Sequence, residues 1–165
     1  MSIEINKLDK FFFIGIAGTG MSALAQYLAG MGKRVAGSDR YFSTEVPGDI
    51  QTKLEAAGIR CFKQDGKGIT TDTELIVVST AVEDTILEVQ KAKQLGIPVI
   101  KRSELLAHIA RSRRTIAVGG TSGKSTTSAM LFEILNYAGL QPGIISGAGL
   151  VSLIRAGKIG NADTG

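Results

Sequence analysis

The chain has 165 residues, a net charge of +4, an apolar content of 44% and a single cysteine, Cys61. The apolar content is typical of a globular protein with a core. A single cysteine excludes an internal disulfide, and together with the lack of a visible signal peptide it favours the cytoplasm. Apart from Arg111, Arg113 and Arg114 the basic residues are scattered, and no apolar run approaches about 18 residues, so we expect neither nucleic-acid binding nor a membrane span.

Predicted strands and helices alternate along the first 110 residues. The strands are expected at 11–14, 34–38, 59–62, 75–78 and 97–100, and the helices at 21–31, 48–57, 85–95 and from Ser103 onward. This βαβ alternation predicts an α/β fold with a Rossmann-like, doubly wound parallel sheet and right-handed crossovers. The uninterrupted apolar run at 75–78 further indicates a sheet that is covered on both faces.

A charged segment without periodicity, residues 110–114, predicts a domain boundary that divides the chain into 1–110 and 111–165. Residues 115–118 are interpreted as a buried strand, followed by a loop, an apolar-periodic helix from Lys124 and a strand near 143–146. About fifty residues with this content are too few to bury both faces of a parallel sheet. We therefore expect either a fragment of a longer protein or a partial element that docks on the first domain.

The first glycine-rich motif, residues 15–22, follows a predicted strand and opens a predicted helix. The dinucleotide fingerprint G-x-G-x-x-G is matched at Gly15 and Gly20, while Ala17 takes the place of the middle glycine. The next strand ends near Asp39, where an acidic residue is placed to accept a hydrogen bond from a ribose hydroxyl. The motif predicts a ligand with a diphosphate and a ribose, which need not be NAD. The alternative is a turn that needs small residues for packing.

The second glycine-rich motif, residues 120–127, also lies between a predicted strand and a predicted helix. In such a loop, backbone N–H groups and the helix N-terminus face an anion, Lys124 reaches the terminal phosphates and the Ser125 hydroxyl can hold Mg²⁺. The general pattern G-x-x-x-x-G-K-[ST] fails at its first glycine, which is Val118 here. The alternative is a glycine-rich turn with a surface lysine.

Four segments in this order, 15–22, 37–39, 78–82 and 120–127, resemble the Mur ligases, and within that family the branches that join L-alanine or a murein tripeptide to UDP-N-acetylmuramate. The resemblance runs from about Lys10 to Gly149. It implies an N-terminal UDP-sugar-binding domain followed by the incomplete start of a central ATPase domain. It also implies a cytoplasmic, ATP- and Mg²⁺-dependent ligase of peptidoglycan synthesis that forms an amide through an acyl phosphate.

The resemblance assigns a role to each motif. The implied UDP-sugar contacts are Gly15, Ala17, Gly18, Thr19, Gly20, Met21, Ser22, Ser38, Asp39, Ser79, Thr80 and Ala81. The implied ATP contacts are Gly120, Thr121, Ser122, Gly123, Lys124, Ser125 and Thr126, with Lys124 as the catalytic cation and Ser125 as the Mg²⁺ ligand.

The sequence departs from the family pattern at three places. Ser122 stands where the family commonly has His, and Ser125 stands where it commonly has Thr, a change that keeps the hydroxyl. The Asn-Pro-Glu that usually follows Val82 is absent. This last departure bears on the sugar contact.

Three other functions remain open. An NAD-dependent oxidoreductase would use the first motif but leaves the second unexplained, and a P-loop kinase would do the reverse. A UDP-sugar- or dinucleotide-binding module without catalysis fits a fragment, because downstream acidic Mg²⁺ ligands and an amine-binding domain are not seen in the sequence.

Overall fold

The computed structural model describes residues 5–79, 82 and 85–165. Within this part of the chain, a five-stranded parallel sheet has the order β3-β2-β1-β4-β5. Its strands are β1 Lys10–Ile14, β2 Arg34–Asp39, β3 Arg60–Lys63, β4 Leu75–Val78 and β5 Val99–Lys101. The predicted Rossmann-like, doubly wound sheet is thereby confirmed.

The helices follow the predicted alternation, with ends that shift by a few residues. They are α1 Thr19–Gly30, α2 Asp49–Ala56, α3 Leu87–Leu95, α4 Arg102–Arg111, α5 Lys124–Tyr137 and α6 Val151–Arg155, after a short 3₁₀ turn at Ile5–Lys7. The predicted end of α3 at Leu95 is confirmed, and Gly96 is its C-cap. α6 was not predicted, because five residues are too short for a helical period to emerge.

Both faces of the sheet are covered, as the apolar run in β4 predicted. Phe13 of β1 packs in one cluster with Leu24 of α1 and Leu105 of α4. Phe12, the preceding residue of the same strand, packs on the opposite face with Val89 of α3. Successive strand residues point to opposite faces, so a strand that is buried on both sides is apolar throughout.

The predicted buried strand at 115–118 is wrong. These residues form no ladder in the structure, and Ile116 is 65% exposed. A β-branched apolar run becomes a strand only beside a partner strand, and no described strand lies next to it. The helix that follows is confirmed as α5, but its apolar residues Met130 and Ile134 are more than 60% exposed, and its buried residue is Phe132.

The last residues of the chain pack against α1. The strand predicted near 143–146 is present as β6 Ile144–Ile145, and it pairs antiparallel with an unpredicted strand, β7 Ala162–Asp163. Ala162 joins the core cluster that contains α1. The partial element therefore packs on helix α1, one of the two outcomes expected above. No helix in the described part of the chain has both the length and the apolar character that a membrane crossing needs.

Candidate functional site

Gly15 and Ser79, two of the predicted UDP-sugar contacts, lie close together at the carboxyl edge of the sheet. β1 lies between β2 and β4, and the chain leaves β1 towards β2 but leaves β4 towards β5, so the connections diverge at this point. Open α/β sheets bind ligands in the crevice that such divergence creates. A β-carbon placed on Gly15 would lie 4.0 Å from Ser79 Oγ and 4.0 Å from Val82 Cγ2. The predicted contacts Thr80 and Ala81 lie outside the described residues.

The loop after β1 is held by the end of β2. Gly15 has a φ of 78°, a conformation in which glycine is favoured. Its N–H and that of Ile16 donate to the Ser38 carbonyl at 2.8 and 3.1 Å. The Ser38 side chain is fully buried, so Ser38 supports the loop through its backbone rather than presenting its hydroxyl to solvent.

Asp39 has a structural contact that the sequence did not reveal. It is only 6% exposed, its Oδ2 accepts the N–H of Ala17 at 3.0 Å, and its Oδ1 accepts the N–H of Tyr41 at 3.1 Å. Replacing Asp39 by alanine would therefore disturb the loop whether or not a ribose is bound. The predicted ribose contact is better tested by comparing UDP with 2′,3′-dideoxy-UDP on the unchanged chain.

At the N-terminus of α1, two backbone N–H groups are bonded within the protein and two are free to bind a ligand. The N–H groups of Met21 and Ser22 donate to the Gly18 carbonyl at 2.9 and 2.8 Å, and both side chains are buried. The N–H groups of Thr19 and Gly20 meet no acceptor among the described residues. Since the first N–H groups of a helix attract anions, Thr19 and Gly20 are the candidates for binding an anion at this loop.

Asn161 connects the end of the chain to this loop, and sequence reasoning missed it. Its side chain is 2% exposed. Nδ2 donates to the Thr19 carbonyl at 2.9 Å and to Ser22 Oγ at 3.1 Å, and Oδ1 accepts from Gln26 Nε2 at 2.7 Å. Because these partners lie about 140 positions away in the sequence, no local pattern could have indicated the contact.

We expect Asn161→Ala to lower the free energy of unfolding by about 1–3 kcal/mol, because it leaves buried polar groups without partners. Chemical denaturation would measure the change. The matched control is Asn136→Ala on the exposed surface of α5, for which we expect a change within about 0.5 kcal/mol. Equal effects of the two substitutions would contradict the role given to Asn161.

The second loop has the geometry of a phosphate cradle. Gly123, with a φ of 77°, is the N-cap of α5, and Lys124 is the first residue of that helix. The N–H groups of residues 121–126 have no acceptor among the described residues. Lys124 Nζ donates to the carbonyls of Gly120 and Thr121 at 2.7 and 3.3 Å, so its ammonium already lies over the loop. The predicted ATP residues are thus brought together and fit a triphosphate.

The predicted magnesium site is less complete. Ser125 is exposed in the first turn of α5, where its hydroxyl fits the predicted metal contact. The described residues contain no group of three or more His, Cys, Asp or Glu side chains that would hold a metal ion. Ser125 therefore represents one ligand, and other ligands would have to complete the shell of a hard cation.

Two further features lie outside this site. A groove of about 290 Å³ runs along the amino ends of β1, β2 and β3, the opposite edge of the sheet from the loops.

Burial, followed by the charges of Glu55 and Asp39, raises the pKa of the Cys61 thiol to about 12. Cys61 is consequently protonated at neutral pH, which argues against its serving as a nucleophile.

Proteins named as ligases are similar to this chain in sequence and in fold. A UDP-N-acetylmuramate–L-alanine ligase of Carboxydothermus hydrogenoformans is 40% identical over 161 residues, which are 97% of this chain and 34% of that protein. The crystal structure of a UDP-N-acetylmuramate–alanine ligase from Thermotoga maritima matches with a TM-score of 0.81 at 28% identity, over 94% of this chain and 35% of that one. A murein peptide ligase from Psychrobacter arcticus also has a TM-score of 0.81 at 28% identity, over 96% and 34% of the two chains.

The chain thus spans about a third of the length of the curated relatives it matches. The family model described as the Mur ligase family, catalytic domain, matches residues 10–114, which is more than half of the chain. This match covers the whole five-stranded sheet and the first glycine-rich loop, and with it the chain is shown to belong to the Mur ligase family.

Proposed function

We propose that this chain forms the UDP-sugar-binding domain, residues 1–110, and the beginning of the ATP-binding domain, residues 111–165, of an ATP-dependent ligase. The proposed reaction joins L-alanine to UDP-N-acetylmuramate in the cytoplasm, as a step of peptidoglycan synthesis. The relatives named above as UDP-N-acetylmuramate–L-alanine ligases support this choice of substrates.

One observation carries the proposal: the same short chain contains two separate glycine-rich loops that each open a helix with free N–H groups. The loop before α1 presents the N–H groups of Thr19 and Gly20 beside the crevice, and the loop before α5 presents Lys124. A dinucleotide-dependent oxidoreductase accounts for the first loop alone, and a P-loop kinase accounts for the second alone. A ligase that activates a carboxylate of a UDP-sugar with ATP accounts for both.

Different residues would have different roles in such a reaction. ATP supplies the phosphoryl group that activates the muramoyl carboxylate as an acyl phosphate, which the amino group of the incoming amino acid converts to an amide with loss of phosphate. The N–H groups of residues 121–126 and the Lys124 ammonium would hold the polyphosphate and neutralise its charge. The Ser125 hydroxyl would contribute one ligand to Mg²⁺.

A second candidate reaction is the joining of a murein peptide to the same UDP-sugar. The murein peptide ligase from Psychrobacter arcticus matches the fold as well as the alanine ligase from Thermotoga maritima does, with a TM-score of 0.81 in both cases. Both reactions use the same UDP-sugar, so the residues described here serve either one. Ligation assays with L-alanine and with a murein tripeptide, using the full-length protein, would distinguish them.

Calorimetric titration tests the binding part of the proposal on the 165-residue chain. We expect UDP-N-acetylmuramate and UDP to bind at one site and ATP to bind at another, each without displacing the other. NAD should not compete with UDP. Binding of NAD in place of UDP at the first loop would instead support the oxidoreductase.

A further inference from the structure

Arg102 lies against the first phosphate loop, although it comes from a distant part of the sequence. It is the first residue of α4, directly after β5. A β-carbon placed on Gly20 would lie 2.6 Å from Arg102 Nη1, 3.2 Å from Cζ and 3.3 Å from Cδ. The guanidinium therefore occupies the space that a side chain at position 20 would need.

The charge of Arg102 has no partner in the part of the chain that the structure describes. Its side chain is exposed, and it forms no hydrogen bond or ion pair with any of the described residues. An arginine that packs along a neighbouring backbone without a carboxylate keeps all of its N–H donors available.

The position is also unfavourable for α4 itself. Lys101 is the N-cap of this helix and Arg102 its first residue, so two cations stand at the positive end of the helix dipole. Glu104 in the same turn is the favourable charge at this helix end, and the two cations add nothing to its stability. A residue that breaks a local rule in this way is a candidate for a functional role.

Three donor groups of two kinds converge at this point. The free N–H groups of Thr19 and Gly20 lie in the first turn of α1, and the Arg102 guanidinium lies beside Gly20. Arginine binds phosphate oxygens through a planar fork of N–H donors, which a backbone N–H cannot supply. We propose that Arg102 binds the diphosphate of the UDP-sugar, and that position 20 is glycine so that the guanidinium can lie there.

This inference rests on the proposed UDP-sugar site, and it gives Gly20 a different role from the one its motif predicts. In the fingerprint, a glycine at this position permits close packing of the helix against the strand. Here the atoms closest to a β-carbon on Gly20 all belong to Arg102. The two roles predict different results when both residues are changed.

The test is calorimetric titration of UDP into four chains: the unchanged protein, Arg102→Ala, Gly20→Ala and the double variant. We expect Arg102→Ala to weaken UDP binding about tenfold, the scale of a lost charge-assisted hydrogen bond. Arg102→Lys should recover part of the loss, since it restores the charge without the fork. Gly20→Ala should weaken UDP binding in the unchanged background and have little further effect when Arg102 is already alanine.

Arg111→Ala is the matched control, because it removes an exposed cation from the other end of the same helix. It should change the affinity by less than about twofold. Arg102→Ala should melt at or slightly above the temperature of the unchanged chain, since the side chain is exposed and its charge lies at the positive end of the α4 dipole. Equal UDP affinity in Arg102→Ala and the unchanged protein would overturn the role of Arg102. Additive losses of affinity in the double variant would overturn the proposal that Gly20 leaves space for the guanidinium. Failure of the unchanged chain to bind UDP would overturn the proposed function as well.

Discussion

Replacing Lys124 by alanine in a full-length ligase that contains this segment is expected to lower the turnover number by about 100-fold or more. Lys124 Nζ lies over the carbonyls of Gly120 and Thr121, at the N-terminus of α5, where the terminal phosphates of ATP would bind. It would meet the negative charge that develops on the transferred phosphoryl group. The measurement is the rate of ADP release that depends on both UDP-N-acetylmuramate and L-alanine.

The same substitution should leave UDP-N-acetylmuramate binding unchanged within about twofold, because the first loop lies in a different part of the fold. Arg155→Ala, which removes an exposed cation from the second half of the chain, is the matched control and should retain turnover. The 165-residue chain itself should not ligate, since the described residues supply Ser125 but no acidic metal cluster. Turnover that survives in Lys124→Ala would contradict the assignment of the second loop.

The second large effect is expected for Gly37→Ala, which should lower the free energy of unfolding by about 1–3 kcal/mol or more. Gly37 lies in β2 and pairs with Phe13 of β1. An added β-carbon would lie 2.6 Å from Ile16 Cδ1 and 2.7 Å from the Phe13 carbonyl oxygen. That carbonyl belongs to the central strand and cannot move away, so Ile16 and the loop that contains it would have to shift.

Gly37→Ala should therefore also weaken UDP binding, and denaturation together with titration would measure both effects. The matched control is Gly147→Ala, because a β-carbon on Gly147 meets no atom within 4 Å and its backbone does not require glycine. We expect that control to change stability by less than about 0.5 kcal/mol. If both substitutions were equally mild, the close packing of Ile16 against β2 would be wrong.

The elements that the sequence predicted well are those whose signal is local. β4 was predicted with its observed ends, Leu75 and Val78, because an apolar run between turn residues marks a strand buried on both faces. The glycine-rich loops before α1 and α5 were located because glycine, lysine and hydroxyl residues stand at fixed spacings next to predicted elements.

The elements that were missed depend on contacts across the fold. Residues 115–118 have strand composition but no partner strand among the described residues, so composition alone predicted a strand where the structure has none. β7, Asn161 and Arg102 contact α1 or its loop from 80 or more positions away, and nothing in their neighbourhoods indicates it. The second contact of Asp39, with the Ala17 N–H, likewise became visible only in the structure.

The most direct test of the account is a titration of the ¹⁵N-labelled chain with UDP, followed by NMR at each backbone amide. The central claim is that the diphosphate binds at the N-terminus of α1, where the N–H groups of Thr19 and Gly20 are free. The account predicts the largest shifts at these two amides and at the Arg102 side chain, with residues 120–126 unaffected until ATP is added. Shifts on UDP addition that centre on residues 120–126, or that spare Thr19 and Gly20, would contradict it.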